Sequence, residues 1–599
     1  MPSRRAAQLL LLFLLLLYAR VIFGDWVNWD DLIYFLNPHL QDGFSPAFLR
    51  WAWADTDTVH QWIPVTWMSI QLDRTLFGVN PAGSHLVNLA IHATNTLLLL
   101  YLLHRMTARF WPSLAVAALF ALHPQHVEAV AWATERKELL AALFGLLSLH
   151  QYVIFARARD ANLPGLDSRV VRPLALSLVC YFLSLLAKPM WITLPALLLL
   201  LDGWPLGRLR RPWLPLLLEK VFYLPIMIGI MWVTFRVYET PSFAPDGVSF
   251  LDLLPYALVN DIHYLVSTFW PVGLAPLYPF PLVRPGLLEV GGAVGLLLAG
   301  TALVWRLARS RPWLLLGWLW FFGTLLLVSG VIHAGRHATT DRFTYLPHMG
   351  LFTALVWEVD AWATRWRLRP QVMAGATGLL LMVCAFLTWN QIGFWRDSMT
   401  LWSHTVATTR NNHYAHYMLA GLYMEERNLE QAAKEVQQAL AIMPGQIDYA
   451  ILQADISYRR GNKAAALQML SEMTRMHPEV ARIRLKMAMM HIQEKAFSQA
   501  LPLLRSIVDP HVPEGSSSTY AAESMEAAFN LGVVLVALGE SVEAEGHFLR
   551  TFRAQPWLIP QRCILMRLFA HDPDSDQEVW KRLAGTFCPD VGSAARMVP

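Results

Sequence analysis

Asp30 and Asp31 stand side by side in the run Asn28-Trp29-Asp30-Asp31, just beyond the first apolar block of the chain. Two adjacent carboxylates cannot easily both stay ionised in a low-dielectric site, so one can act as a base while the other is held by hydrogen bonds or a metal. The competing reading is a helix start, where the dipole favours acidic residues. A second cluster is His123-Pro124-Gln125-His126-Val127-Glu128, followed by Trp132 and Glu135-Arg136-Lys137-Glu138. His126 and Glu128 could reach a sugar or a metal, but their spacing matches no established ligand motif, and a hydrogen-bonded structural cluster accounts for them equally well. Lys188, before Pro189, is an isolated cation between two apolar blocks, able to neutralise a lipid phosphate or to snorkel outward. The third cluster joins His333, Arg336 and His337 to the run Thr339-Thr340-Asp341-Arg342-Phe343-Thr344-Tyr345-Leu346-Pro347. Arginine offers a planar fork suited to phosphate oxygens, and two of them beside an apolar block fit capture of a lipid-phosphate head group. The alternative is an exposed pair of Asp341 with Arg342, which contributes little.

Ionisable groups at a membrane boundary are functional candidates by default, and the elements around these are membrane elements. With 55% hydrophobic residues, 25 Trp and 15% charged residues among 599, the chain has the composition of a bilayer protein. Apolar blocks at 6–24, 86–104, 113–122, 138–156, 173–187, 190–202, 214–235, 287–305, 313–332, 344–361 and 371–390 predict eleven spanning helices. The first follows Arg4 and Arg5 as a signal peptide would, but no Ala-x-Ala site comes after it, so it is expected to remain as a span. Block 113–122 is short and must borrow flanking residues or thin the bilayer.

Every second loop is basic: Arg105 and Arg109; Arg157, Arg159, Arg169 and Arg172; Arg208, Arg210 and Arg211; Arg306, Arg309 and Arg311; Arg365, Arg367 and Arg369. Such loops stay on the cytoplasmic side, which sends Asp25 to Ser84, the other site loops and everything after the eleventh span outside. That phase requires Leu253 to Trp270, which contains Asn260, Asp261 and His263, to lie along the outer interface as an amphipathic helix.

Polar residues dominate after Gln391. Residues 1–390 are read as the membrane domain, 391–410 as a linker and 411–599 as a repeat domain. Pro444 and Pro478 are 34 apart, and Leu419, Ala420, Tyr423, Ala432, Val436 and Ala439 recur in kind at Leu531, Gly532, Leu535, Gly539, Ala544 and Phe548. This is the tetratricopeptide pattern, in which small residues let paired helices approach. Four units are expected, at 413–446, 447–480, 481–514 and 525–558, with Glu514 to Ser518 as a surface loop. Cys563 and Cys588 could pair if the tail faces an oxidising compartment. A net charge of +4 without a basic, aromatic-laced tract gives nucleic-acid binding no footprint.

The runs Asn28-Trp29-Asp30-Asp31, His123 to Trp132 with Glu135-Arg136-Lys137, Leu185 to Pro189 with Lys188, Phe269-Trp270-Pro271 with Tyr278-Pro279, and Asp341 to Pro347 occur in this order across nearly the whole chain. Together with the terminal repeats, they resemble the transmembrane and tetratricopeptide repeat-containing O-mannosyltransferases and their bacterial relatives. That resemblance implies an all-α, GT-C-like polytopic bundle followed by an extracytoplasmic solenoid of repeats, placed in a bacterial inner membrane with the repeats on the periplasmic side. It implies transfer of a sugar such as mannose from a polyprenyl-phosphate carrier to an acceptor hydroxyl, on a protein Ser or Thr or an envelope glycan. Asp30 becomes the favoured base, with Asp31 its neighbour or substitute. Arg342 becomes the donor-phosphate contact; from their own chemistry, Arg336 and Lys188 are expected to join it, and His126, Glu128, Asp341 and Tyr345 to contact substrate. Phe343 and Thr339-Thr340 stand where the family often carries Tyr and Met-Ala, and the tail is short, which leaves the acceptor open.

No metal is expected, because no oxygen-ligand cage is readable; divalent cations serve only some of the wider class. The repeats are expected to bind a peptide or protein in their concave groove. The competing function is a non-catalytic, membrane-anchored scaffold for envelope protein assembly. A transporter is disfavoured because the spans show no internal repetition.

Overall fold

The computed structural model describes residues 2–588 apart from 42, 162–163, 165–166, 211, 239–249, 282, 327, 330–336, 509–518, 555–561 and 568–576. The described chain is α-helical, with a single pair of short strands, Tyr278–Pro279 and His337–Thr339, joined antiparallel. It divides into two compact units, Met1–Ala415 and His416–Pro599.

Each of the eleven apolar blocks is helical over most of its described residues, yet not all are spans of ordinary length. Six helices among the described residues are long and apolar enough to cross a membrane: Ser3–Phe23, Pro81–Thr107, Ala133–Asp160, Ser168–Ala187, Leu287–Leu307 and Pro370–Phe394. The count reaches eight if two bent pairs each form one span. Block 113–122 does not extend straight into its flanks as expected. It turns through 54° between Phe110–Leu122 and Pro124–Ala131, because Pro124 has no N–H to continue the helical ladder. Blocks 190–202 and 313–332 are shorter apolar helices, Pro189–Gly203 and Pro312–Leu325. Proline opens many of these helices, as at Pro64, Pro81, Pro312, Pro347 and Pro370, where its missing N–H costs nothing. Small residues bring helices close: a Cβ on Gly317 would run into Ala354, and one on Gly350 into the Trp320 side chain.

Leu253 to Trp270 falls on the helix Phe250–Phe269, whose polar face is committed to the protein: Asn260 donates to the carbonyls of Ser329 and Ala338, 3.0 and 2.9 Å away. The stretch 391–410, expected as a linker, is helical instead and belongs to the membrane unit. Gln391 lies inside Pro370–Phe394, and Ser398–Thr408 forms a capped helix with Asp397 accepting from the Thr400 N–H.

In the second unit, helix pairs such as Ile447–Arg459 with Lys463–Met476 and Ala481–Gln493 with Phe497–Arg505 are joined by tight turns. Each turn puts one residue at positive φ: Arg427, Gly461, Lys495 and Gly539. The first three are spaced 34 and 34 apart, and the last comes 44 later, an insertion of ten residues. Small residues fill the seams, with Ala420, Ala432, Val436 and Ala439 buried in one layer and Ala488, Ala500 and Leu504 in another. The loop expected at Glu514 to Ser518 lies outside the described residues. Cys563 and Cys588 form a disulfide.

Candidate functional site

The loop after the first span is pinned on two sides. The Asn28 N–H donates to the Ser398 hydroxyl at 2.9 Å, and Trp402 Nε1 donates to Asn28 Oδ1 at 2.8 Å, so the Ser398–Thr408 helix backs the loop. From the other side, Asp31 accepts from the Val27 N–H at 2.9 Å and from the Thr134 N–H at 3.1 Å. Asp31 is 1% exposed, and both its oxygens are occupied by backbone donors. The two neighbouring carboxylates therefore differ in kind: Asp31 staples the loop to the 133–135 turn, while Asp30 is partly exposed and feels the positive charges of Lys137 and Arg342.

Those groups form one buried network. Arg342 donates through its guanidinium to Glu128, and its backbone N–H donates to the other Glu128 oxygen at 3.0 Å; its Nε lies 3.3 Å from Glu135. Glu135 is also 3.4 Å from Lys137 and 3.1 Å from Lys188, and Lys188 is 2.8 Å from Glu138. Three cations thus converge on a single carboxylate. Aromatic rings line the same space: Trp29 stacks on Trp132 at 4.5 Å, the Arg342 guanidinium sits 5.6 and 5.1 Å from the two rings, and Lys188 lies 5.4 Å from Phe343. A cation over an aromatic face is held there by the ring quadrupole without consuming its hydrogen-bond donors. Arg136, in the same run, turns away to Asp73 at 2.7 Å and fastens the scaffold.

Burial raises the pKa of Asp30, and the positive charges of Lys137 and Arg342 pull it back down. Asp31 is pushed up to about 7 by burial, against the pull of the Val27 and Thr134 N–H groups. Asp341 is raised by burial and by the negative charge of Glu128, and it accepts from Gln125 at 3.3 Å and from the Tyr278 hydroxyl at 3.2 Å. Burial thus raises both carboxyls of the pair, opposed at Asp30 by the charges of Lys137 and Arg342 and at Asp31 by two backbone N–H donors.

The remaining candidates separate. His126 and Tyr345 are fully buried in a polar seam between helices: His126 bonds Phe120 O at 2.7 Å and His348 at 2.9 Å, and the Tyr345 hydroxyl bonds His92 at 2.8 Å and Asn95 at 3.3 Å. Glu128 holds Arg342. Arg336 lies outside the described residues. The sequence reading gave no role to Lys137, Glu135, Trp29 or Trp132, although three of the four stand in the same short run as His126. Among the described residues, no cluster of three His, Cys, Asp or Glu side chains is placed to hold a metal ion.

The fold and this site define an integral membrane protein of the all-α type, with a charged cluster buried among the helices of its first unit and helical repeats in its second. No family profile matches the chain. It is 25% identical over 516 residues to human protein O-mannosyl-transferase TMTC1, covering 74% of this chain and 57% of that protein. It is 22% identical over 457 residues to Caenorhabditis elegans protein O-mannosyl-transferase F38B6.6, covering 71% of this chain and 61% of that one. A shorter match, 33% over 154 residues, reaches Drosophila melanogaster protein O-mannosyl-transferase Tmtc2, with 26% of this chain and 16% of the fly protein covered. The chain is related to the transmembrane and tetratricopeptide repeat-containing O-mannosyltransferases. It spans little more than half the length of the human relative, 57%.

Proposed function

We propose that this protein is a membrane glycosyltransferase that moves a sugar, mannose by analogy with its relatives' names, from a polyprenyl-phosphate carrier to an acceptor hydroxyl on a polypeptide. Asp30 takes the acceptor proton as the hydroxyl oxygen attacks the anomeric carbon. The carbon–oxygen bond to phosphate breaks on the opposite face, so configuration inverts, and the polyprenyl phosphate departs with its charge met by Arg342 and Lys188. Preorganised positive charge in a dry site stabilises such a leaving group more than it could in water. Lys137 joins the group because its charge acts on Asp30 more strongly than that of Arg342. Asp31 carries no chemical step; it holds the loop. The observation that carries this reading is the Arg342 guanidinium lying 5.6 Å from the ring of Trp29, the residue before Asp30, although the two stand more than three hundred positions apart in sequence.

The reacting face is assigned to the non-cytosolic side, the periplasm in a bacterial cell. The disulfide Cys563–Cys588 supports placing the repeats in an oxidising compartment, as does the alternation of Arg-rich loops. The repeats would then hold acceptor polypeptide or a partner protein.

One observation favours the scaffold reading: Arg342 and Lys188 are already paired with buried Glu128, Glu135 and Glu138, so a phosphate must compete for them. A transfer assay decides. With purified full-length chain, a synthetic mannosyl-phosphoryl-polyprenol and a peptide acceptor, Asp30→Asn is expected to lower kcat by about 10²- to 10⁴-fold with the donor KM unchanged. Transfer at the wild-type rate by this variant, or none by the wild type, ends the proposal.

A further inference from the structure

A cleft of 580 Å³, within the usual size range of small-ligand sites, lies in the membrane unit. Its lining residues come from two kinds of segment. The 272–283 segment contributes the apolar Val272, Leu274, Phe280, Pro281 and Val283 together with Tyr278; Ser267, Thr409, Arg410 and Asn411 contribute polar groups. Among the described residues lining the cleft, Arg410 is the one ionisable cation apart from His263, and none is a carboxylate.

Two structural links tie this cleft to the charged cluster. Tyr278 lines the cleft, and its hydroxyl donates to Asp341 at 3.2 Å, one residue from Arg342. The Ser398–Thr408 helix is the second link: Ser398 at its start accepts from Asn28, two residues before Asp30, and Thr408 at its end lines the cleft. Ten steps along a helix cover about 15 Å, so the cleft is displaced from the Asp30 loop by roughly that length. An extended chain rises about 3.3 Å per residue, which makes this gap about four to five residues of polypeptide.

We propose that this cleft binds the acceptor polypeptide in extended form, four or five residues away from the hydroxyl that receives the sugar. An extended peptide alternates its side chains and so can offer apolar and polar groups in turn to a lining of mixed character, whereas a glycan presents hydroxyls on every side. The lining charge selects peptides with an acidic residue facing Arg410. The proposal rests on the transferase reading for its acceptor hydroxyl, but the occupancy of the cleft is measured separately.

The test uses full-length protein in lipid nanodiscs and a synthetic peptide of about a dozen residues, with one central Thr, Glu on both sides at the fourth and fifth positions, and a photoreactive group beside the Glu residues. Crosslinks are expected on 272–281 and 408–411, and Arg410→Glu, which reverses the charge of the lining, should weaken them. In transfer assays Arg410→Glu is expected to raise the KM of this peptide roughly tenfold, a difference of about 1.4 kcal/mol. The kcat, the donor KM and the KM of a tripeptide acceptor should be unchanged. Crosslinks confined to other segments, or equal KM changes for long and short acceptors, overturn the cleft assignment while leaving the transferase reading intact. Crosslinks at the cleft without any sugar transfer uphold peptide binding and overturn the transferase reading. Transfer to saccharides alone, with no peptide crosslink, overturns the cleft assignment.

Discussion

The Ala133–Asp160 helix carries a buried charged cluster near each end, and the two are built differently. Around Tyr152, near its C-terminal end, Arg208 pairs with Asp202 and Glu219 at 2.9 Å each, Lys220 pairs with Asp202, and the Tyr152 hydroxyl bonds both Asp202 oxygens at 2.8 Å. Acids and bases there are matched, and each named side chain is hydrogen-bonded. Near Glu138, 14 residues and about 21 Å earlier along the helix, Arg342, Lys137 and Lys188 crowd on Glu135 beside three aromatic rings. There the Glu138 Oε1 and Trp132 Nε1 atoms have no hydrogen-bond partner among the described residues. A saturated network specifies and rigidifies structure, whereas one with spare polar capacity beside an aromatic floor is arranged to meet a ligand. Similar composition at two ends of one helix is thus fully paired at one end and leaves polar atoms unpartnered at the other, where the proposed phosphate site lies.

The sharpest way to break this contrast is to remove Arg208, whose side chain is 1% exposed. Arg208→Met leaves Asp202 and Glu219 short of a partner and is expected to lower stability by about 3–5 kcal/mol, read as a drop in unfolding midpoint, with the kcat of surviving protein unchanged. A smaller effect is expected at the loop staple. Asp31→Asn replaces one acceptor oxygen by an amide that cannot accept from a backbone N–H, at a cost of about 1–3 kcal/mol. The same substitution changes the pH dependence. Burial puts the folded Asp31 pKa near 7, above its unfolded value of about 3.9, so the folded state binds more protons and the wild type loses stability as pH rises between those values. Asp31→Asn should flatten that slope in a pH series of thermal melts; an unchanged slope would mean that Asp31 is not the group responsible. The smallest effect belongs to Glu138→Gln. Because Lys188 keeps Glu135 at 3.1 Å, this change should cost only about 0.5–1.5 kcal/mol, and a loss as large as that of Arg208→Met would erase the distinction between the two clusters.

Much of this was legible in the residues. The apolar blocks are mostly helical over their described residues, the 34-residue repeat recurs as positive-φ turns at Arg427, Gly461 and Lys495, and the Arg342 guanidinium lies 5.6 Å from the ring of Trp29, beside Asp30. What the sequence could not give is pairing across long separations. Nothing local marks Glu128 as the partner of Arg342, 214 positions away, rather than a substrate contact. Nor does anything local show that Asp31, not Asp30, is consumed by backbone donors. The 391–410 stretch was misread for a different reason: a helix of 11 residues, with Leu401, Trp402 and Thr405 as its buried residues, carries too little apolar periodicity to stand out. Its Asp397 cap was the signal available. Likewise Pro124 announces the bend after Leu122, but not its size.

The most direct test of the division between the two clusters is equilibrium binding of a synthetic mannosyl-phosphoryl-polyprenol to full-length protein in nanodiscs, comparing wild type with Arg342→Met and Arg208→Met. Binding at least about tenfold weaker for Arg342→Met, a loss of about 1.4 kcal/mol, with wild-type affinity retained by folded Arg208→Met, is the result expected. Equal affinity in all three proteins, or equal loss in both variants, would contradict the assignment of the Arg342 cluster as the phosphate site.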